Sequence, residues 1–194
     1  MASSVSQPIN HKPNIGALNC SVHQPVSERV ISYLANVASG VVLVDSTISR
    51  WQAQDYAAYG LPPLKEFILT LVYSSDTQFS TLIGALVYLR RLKARLGPAA
   101  KGQQCVNYRI FLASLILASK YLNDITLLNK HWAKCSIVRT RSFSFGFSLA
   151  EINQMEREML SILDWDLGIT DDDIYWELRY FSEHNFLFSD LKVV

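Results

Sequence analysis

The sequence predicts an all-α protein, on three observations. From position 61 onward apolar residues recur every three to four positions, the period of a helix face. Helix signals bracket those stretches: prolines at a start, Gly97-Pro98 at a stop, and serine–glutamate pairs at capping distance. No run of strand length alternates with period two. The 194 residues suit one domain, and 49% hydrophobic against 18% charged residues suggests more apolar surface than one core needs, the mark of a partner.

Residues 1–25 are polar, carry Pro8, Pro13 and Pro25, and show no periodicity, so they read as a disordered leader. Residues 26–60 read as an N-terminal helix and a connector. Val26, Val30, Ile31, Tyr33, Leu34 and Val37 share helical spacing, with Ser27 and Glu28 placed to cap the start. Pro62 and Pro63 open the next helix, whose face is Leu64, Phe67, Ile68, Leu71 and Val72. A second helix of this group is expected near Asp76, with Ser75 and Gln78 at capping-box spacing, and runs to Gly97. Arg90, Arg91, Lys93 and Arg95 crowd its last turns, where the helix dipole favours them. They read as a solvated helix end, with an acidic docking surface as the alternative.

The third helix, Gln104 to Leu122, is apolar almost all round and should be the central one. A short helix at Asn129 to Cys135 carries Trp132. A long one follows from Ser148, capped by Ser148 and Glu151, to about Trp165. Thr170 and Asp173 can cap a last helix carrying Ile174, Trp176, Leu178 and Tyr180.

Charge and motifs exclude several functions. A net charge of +1 lacks the footprint of a nucleic-acid binder. No apolar run reaches the roughly 18 residues needed to span a bilayer, and the start of the chain lacks the order of a secretory signal. Neither nucleic acid nor membrane is therefore expected as a partner. Cys20, Cys105 and Cys135, odd in number and widely spaced, read as free thiols in a reducing compartment. Cys20 with His23 and His131 with Cys135 could be written as four zinc ligands, but nothing requires the pairs to meet. No nucleotide or nucleophile motif is present, so no cofactor, metal or catalytic residue is assigned.

Two charges stand out. Val106, Ile110, Ala113, Leu117 and Lys120 form one helix face, and so do Leu149, Ile152, Glu156, Met159 and Leu163. A charge inside an apolar stripe is costly unless paired. Either Lys120 bridges Glu156 between packed helices, or both lie at the rim of a surface that meets a partner. Spacing leaves both open.

The five-helix order from Leu61 to Trp165 resembles a cyclin box, here 61–166, with "LASLILASKYLND" (Leu112 to Asp124) similar to the cyclin signature around its lysine. "INQMEREMLSILDWDL" (Ile152 to Leu167) resembles the fifth box helix, with Met155-Glu156 as its methionine–glutamate pair. With "LLNKHWAK" and "VSERVISYLA", these segments are similar to fungal PCL-type G1 cyclins. The resemblance implies a single box with flanking N- and C-terminal helices, residues 167–194 being the C-terminal helix and tail. It implies a non-enzymatic regulatory subunit that binds and activates a cyclin-dependent kinase of the PCL-partner type and helps select its protein substrates. The third and fifth box helices of such proteins pack on the kinase αC helix. By that match Lys120, Glu156, Leu117, Ile152 and Tyr121 are the kinase-binding residues, and partner contact becomes the favoured role of the two charges. A cyclin-fold transcription adaptor is the alternative. Nucleus and cytoplasm are the expected locations.

The chain departs from the pattern in places. No arginine-containing docking motif stands in "LPPLKEFILTLVYSS", and Arg90 takes the place of an aspartate. Segment 136–147 is longer than expected. Its Phe143, Phe145 and Phe147 read as a cover for the core, and Arg139-Thr-Arg141-Ser-Phe-Ser144 resembles a site for a basophilic kinase.

Overall fold

A computed structural model describes residues 26–44, 60–102 and 105–183. The leader, much of the connector, the tail, and Cys20 with His23 lie outside the described residues. Seven helices make up the fold there: α1 (Glu28–Ser39), α2 (Leu64–Ser75), α3 (Phe79–Leu96), α4 (Val106–Leu122), α5 (Asn129–Cys135), α6 (Leu149–Ile162) and α7 (Asp171–Glu183). Four two-residue strands join them. β1 (Leu43–Val44) pairs in parallel with β2 (Lys101–Gly102), and β3 (Val138–Arg139) pairs antiparallel with β4 (Ser144–Phe145). The all-α class holds. None of the described helices is long and apolar enough to cross a membrane.

Helix α4 is the axis. Phe111, Leu112, Leu115, Ile116 and Ala118 are fully buried, on several sides of one helix. Such a helix must be enclosed, and α1, α2, α3 and α6 all pack on it. The closest approach is at α3, where Gly84 faces α4. A Cβ there would come within 2.7 Å of Leu122 and 3.2 Å of Ala118. Ser114, buried in this helix, satisfies its hydroxyl on the Ile110 carbonyl, 2.9 Å away.

Caps set the helix ends. Ser27 accepts from the Val30 N–H at the start of α1. Ser148 and Glu151 close a reciprocal capping box at α6, as expected, and Thr170 with Asp173 does the same at α7. Ser75 and Gln78 do not form the expected box. Ser75 turns back to the Leu71 carbonyl, Asp76 takes a left-handed conformation that ends α2, and Gln78 caps α3 without a side-chain bond. The start of α3 therefore moves to Phe79.

The basic end of α3 is largely exposed, as a solvated helix end should be, but its arginines also have partners within the chain. Arg91 donates to the Asp166 and Gly168 carbonyls at 3.0 and 2.7 Å and pairs with Asp173 at 2.9 Å. Arg95 reaches Asp166 at 3.3 Å, and Arg90 pairs with Glu177 and donates to the Tyr33 hydroxyl. Three of the four cations thus dock the α6–α7 turn and α7 onto α3. Arg90 and Arg95 keep part of their surface exposed while making these contacts, and Lys93 is exposed as well. Apolar contacts complete the dock. Phe181 is fully buried beside Phe79, and Tyr180 stacks on Tyr33 with ring centroids 4.3 Å apart.

Segment 136–147 forms the β3–β4 hairpin. Phe145 and Phe147 reach the ring cluster of Phe67 and Tyr108, with centroids 5.1–6.0 Å apart. Both cover the core as expected, while Phe143 is half-buried near Gly60. Cys105 and Cys135 are free thiols. Burial pushes the Cys135 thiol up, and it donates to the Ser74 carbonyl.

Two predictions come from this packing. Gly84→Val should lower the unfolding free energy by about 1–3 kcal/mol through overpacking, read as a lower urea midpoint at unchanged slope. The second concerns Glu177, whose carboxyl burial pushes above the ordinary 4.5, more than Arg90 draws it back. The folded state then holds its proton more tightly than the unfolded state, so this group's contribution falls as pH rises through the window above 4.5. Glu177→Gln should match the wild type in thermal midpoint near about pH 4 and exceed it near about pH 7. Equal midpoints at both would contradict the assignment.

Candidate functional site

The apolar stripe of α4 reaches the surface at its last turn. Ala113 and Leu117 are each 3% exposed, whereas Lys120 stands at the edge and Tyr121 and Leu122 face outward. Helix α6 crosses here with Ile152, Met155 and Met159 turned inward. Glu156 takes the next position toward the rim.

There Lys120 Nζ lies 2.5 Å from Glu156 Oε1. The side chain of Lys120 is 36% exposed and that of Glu156 only 15%. The second carboxylate oxygen accepts from Asn129 Nδ2 at 2.6 Å, and the same amide donates to Asn153 Oδ1 at 2.7 Å. Asn129 is the first residue of α5, so three helices meet at one carboxylate. Glu156 is held by two donors on its two oxygens, while the ammonium keeps N–H groups beyond the one it gives to Glu156.

Of the two arrangements left open by spacing, the intramolecular bridge is the one present. It does not close the surface. Tyr121 and Leu122 on α4 and Ile125 and Leu128 on the connector to α5 are exposed, Ile125 at 94%, although Leu122 also packs toward Gly84 of α3. Exposed large apolar residues in one short stretch are an informative feature of a surface. Of the residues singled out from the sequence, Lys120 and Glu156 are brought together there, and Tyr121 is exposed one residue beyond Lys120. Leu117 and Ile152 are not surface residues: both belong to the core and form the floor beneath the pair.

Asn129 was not signalled by the sequence. An asparagine beginning a short helix looks like an ordinary cap, and only the crossing of α5 over α6 turns its amide toward Glu156. The arginine run lies on α3 and is committed to the α7 dock. Partial burial raises the Asp173 carboxyl there, but the Thr170 N–H, its hydroxyl and Arg91 outweigh it and hold Asp173 below its usual range. Among the described residues no three His, Cys, Asp or Glu side chains gather as metal ligands.

Residues 51–168 match the family model described as "Cyclin, N-terminal domain". PHO85 cyclin-2 of Saccharomyces cerevisiae is 37% identical over 150 residues, covering 77% of this chain and 45% of that protein. PHO85 cyclin-1 of the same yeast is 34% identical over 165 residues, covering 84% and 56%. PHO85 cyclin-9 is 34% identical over 159 residues, covering 81% and 48%. The chain spans about half the length of the curated relatives it matches.

The pair's geometry carries a stability prediction. Lys120→Ala should cost less than about 1 kcal/mol, because an exposed cation in a surface pair contributes little. Glu156→Ala should cost more, about 1–3 kcal/mol, since it removes the acceptor that holds Asn129 and Lys120 together. Chemical denaturation of both variants measures the order; a larger loss for Lys120→Ala would contradict it.

Proposed function

This chain belongs to the cyclin family, and we propose that it is the regulatory subunit that binds and activates a cyclin-dependent protein kinase of the kind its PHO85-cyclin relatives are named for. The observation that carries the reading is the Lys120–Glu156–Asn129 cluster, preformed at the end of a core helix whose last turn and following connector expose apolar side chains. Lys120 is the contact charge, held in place by Glu156. Tyr121 supplies an aromatic anchor, and Leu117 and Ile152 support both from below.

Activation follows from differential binding. A protein kinase is competent when the lysine of its β3 strand pairs with the glutamate of its αC helix. A partner that fits only the αC-in arrangement raises the population of that state by its difference in affinity for the two. A stiff surface with its cation already oriented loses little freedom on docking, which favours discrimination between the two states. The chain itself needs no catalytic residue for this role. Substrate selection belongs to the same proposal, as does residence of the complex in nucleus and cytoplasm.

Lys120→Ala and Tyr121→Ala should each weaken kinase binding by about tenfold or more while leaving the helicity of the free chain unchanged. Lys120→Glu combined with Glu156→Lys rebuilds the internal pair with reversed polarity. Stability should return toward wild type in the double variant, whereas kinase binding should not. Calorimetric titration with the purified kinase reads the affinity, and circular dichroism reads the fold. Binding restored along with stability would show the pair to be structural only.

A further inference from the structure

The β3–β4 hairpin presents a chemistry that kinase activation does not use. Its tip is Arg139-Thr140-Arg141-Ser142-Phe143, with arginines three and one residues before a serine. We propose that Ser142 is a phosphorylation site for an arginine-directed protein kinase, one whose peptide groove carries carboxylates for those two arginines. The proposal is independent of the kinase partner proposed above.

Exposure and charge support it first. Arg139, Thr140, Arg141 and Ser142 are all exposed, and neither arginine has an acidic partner among the described residues. Two free guanidinium forks are suited to bidentate capture by carboxylates. Arg90, Arg91 and Arg95 on α3, by contrast, are committed to Glu177, Asp173 and Asp166 of their own chain.

Geometry supports it second. A substrate segment must open into an extended strand to enter a kinase groove. At this tip the Val138–Phe145 and Arg139–Ser144 register holds the strands, and the turn is closed by one backbone bond, Thr140 N–H to the Phe143 carbonyl at 3.0 Å, and by one side chain. The Thr140 hydroxyl accepts from the N–H groups of Ser142 and Phe143 at 3.3 and 3.1 Å and lies 3.1 Å from the Phe143 carbonyl it donates to. Opening residues 139–143 breaks few bonds, a local event of low free energy. Val138 and Phe147, buried at the two ends, keep the segment anchored while it opens.

Competing serines lack this freedom. Arg29 with Ser32 and Arg179 with Ser182 repeat the three-residue spacing, but each pair lies inside a helix, α1 or α7. Arg141 with Ser144 repeats it on the hairpin itself. Yet the residue after Ser144 is Phe145, whose ring packs 5.1 Å from Tyr108 and 5.6 Å from Phe67. Extending the chain through Ser144 would pull that ring from the core.

In the reaction the Ser142 hydroxyl oxygen attacks the γ-phosphorus of the Mg-bound nucleoside triphosphate held by the modifying kinase. The oxygen–phosphorus bond forms, the β–γ bridging bond breaks with its electrons leaving on the diphosphate, and the hydroxyl proton passes to that kinase's base. The product gains roughly 1.5–2 negative charges at neutral pH, set among the two arginines. Tyr108, which the hairpin rests on, precedes Lys120 by twelve residues, about 18 Å along α4. The new charge therefore lies away from the proposed docking surface.

The test uses the full chain, the purified cyclic-AMP-dependent kinase catalytic subunit as arginine-directed probe, and Mg-ATP. Tandem mass spectrometry should place one phosphate on Ser142. Ser142→Ala should lower initial incorporation at least tenfold, Ser144→Ala should leave it unchanged, and Arg139→Ala should lower it about tenfold with helicity intact. No incorporation, a phosphate mapped to Ser144 or to a helical serine instead, or a rate indifferent to Arg139 would each overturn the assignment.

Discussion

One helix without a free side governs this molecule. Helix α4 buries residues around most of its circumference, and its backbone admits α3 to within van der Waals reach at Gly84. A helix of that kind cannot be stable alone, because its apolar surface removed from water is the chief term holding it in place. The other helices are therefore placed by what α4 needs covered. Only the last turn escapes cover, and that is where Lys120, Tyr121 and Leu122 emerge. The candidate surface is the exit point of the core stripe. Its position follows from the packing rather than from any local feature of the residues that form it.

Much of this was legible in the chain. The all-round apolar character of α4, the Ser148–Glu151 and Thr170–Asp173 boxes and the short Asn129–Cys135 helix are local signals, and local physics decided them. Ser75 with Gln78 had the same spacing and failed. A serine can bond back to the carbonyl four residues earlier, and it does so once Asp76 ends the helix in a left-handed turn. The partners of the arginine run were hidden for a different reason. Its partners Asp166, Asp173 and Glu177 lie some 71 to 87 residues further along the chain. Spacing along one helix says which side a charge faces and nothing about what arrives there. The same limit left the Lys120–Glu156 pair open: a shared face does not reveal whether the partner is internal, external or both.

Two ion pairs with similar contacts carry opposite meaning. Arg90 and Glu177 meet where the carboxylate is 4% exposed, with one oxygen buried and unpartnered among the described residues. Desolvation there outweighs attraction, so this pair fixes where α7 sits more than it adds stability. At Lys120 and Glu156 the anion is the more covered member and has a donor on each oxygen, while the cation is the more exposed one. The first arrangement is internal scaffolding. The second holds a charge ready at a boundary.

That asymmetry bears on what a partner gains by docking. A lone surface lysine carries about 2 kcal/mol of rotamer entropy that a tight contact must remove. Glu156 has already restricted it, and Glu156 is itself restrained by Asn129, so most of that ordering belongs to folding rather than to association. In the proposed complex the exposed Tyr121, Ile125 and Leu128 would add apolar area to a cation that needs little rearrangement. Association with an αC-type helix can thereby discriminate between orientations of that helix, because a fixed charge rewards one placement and leaves others with a desolvated, unpaired group. A flexible lysine would accommodate several placements and shift no equilibrium. In the proposed complex the internal bridge and the partner contact are therefore not rival roles for Lys120: the bridge is what would make the contact selective.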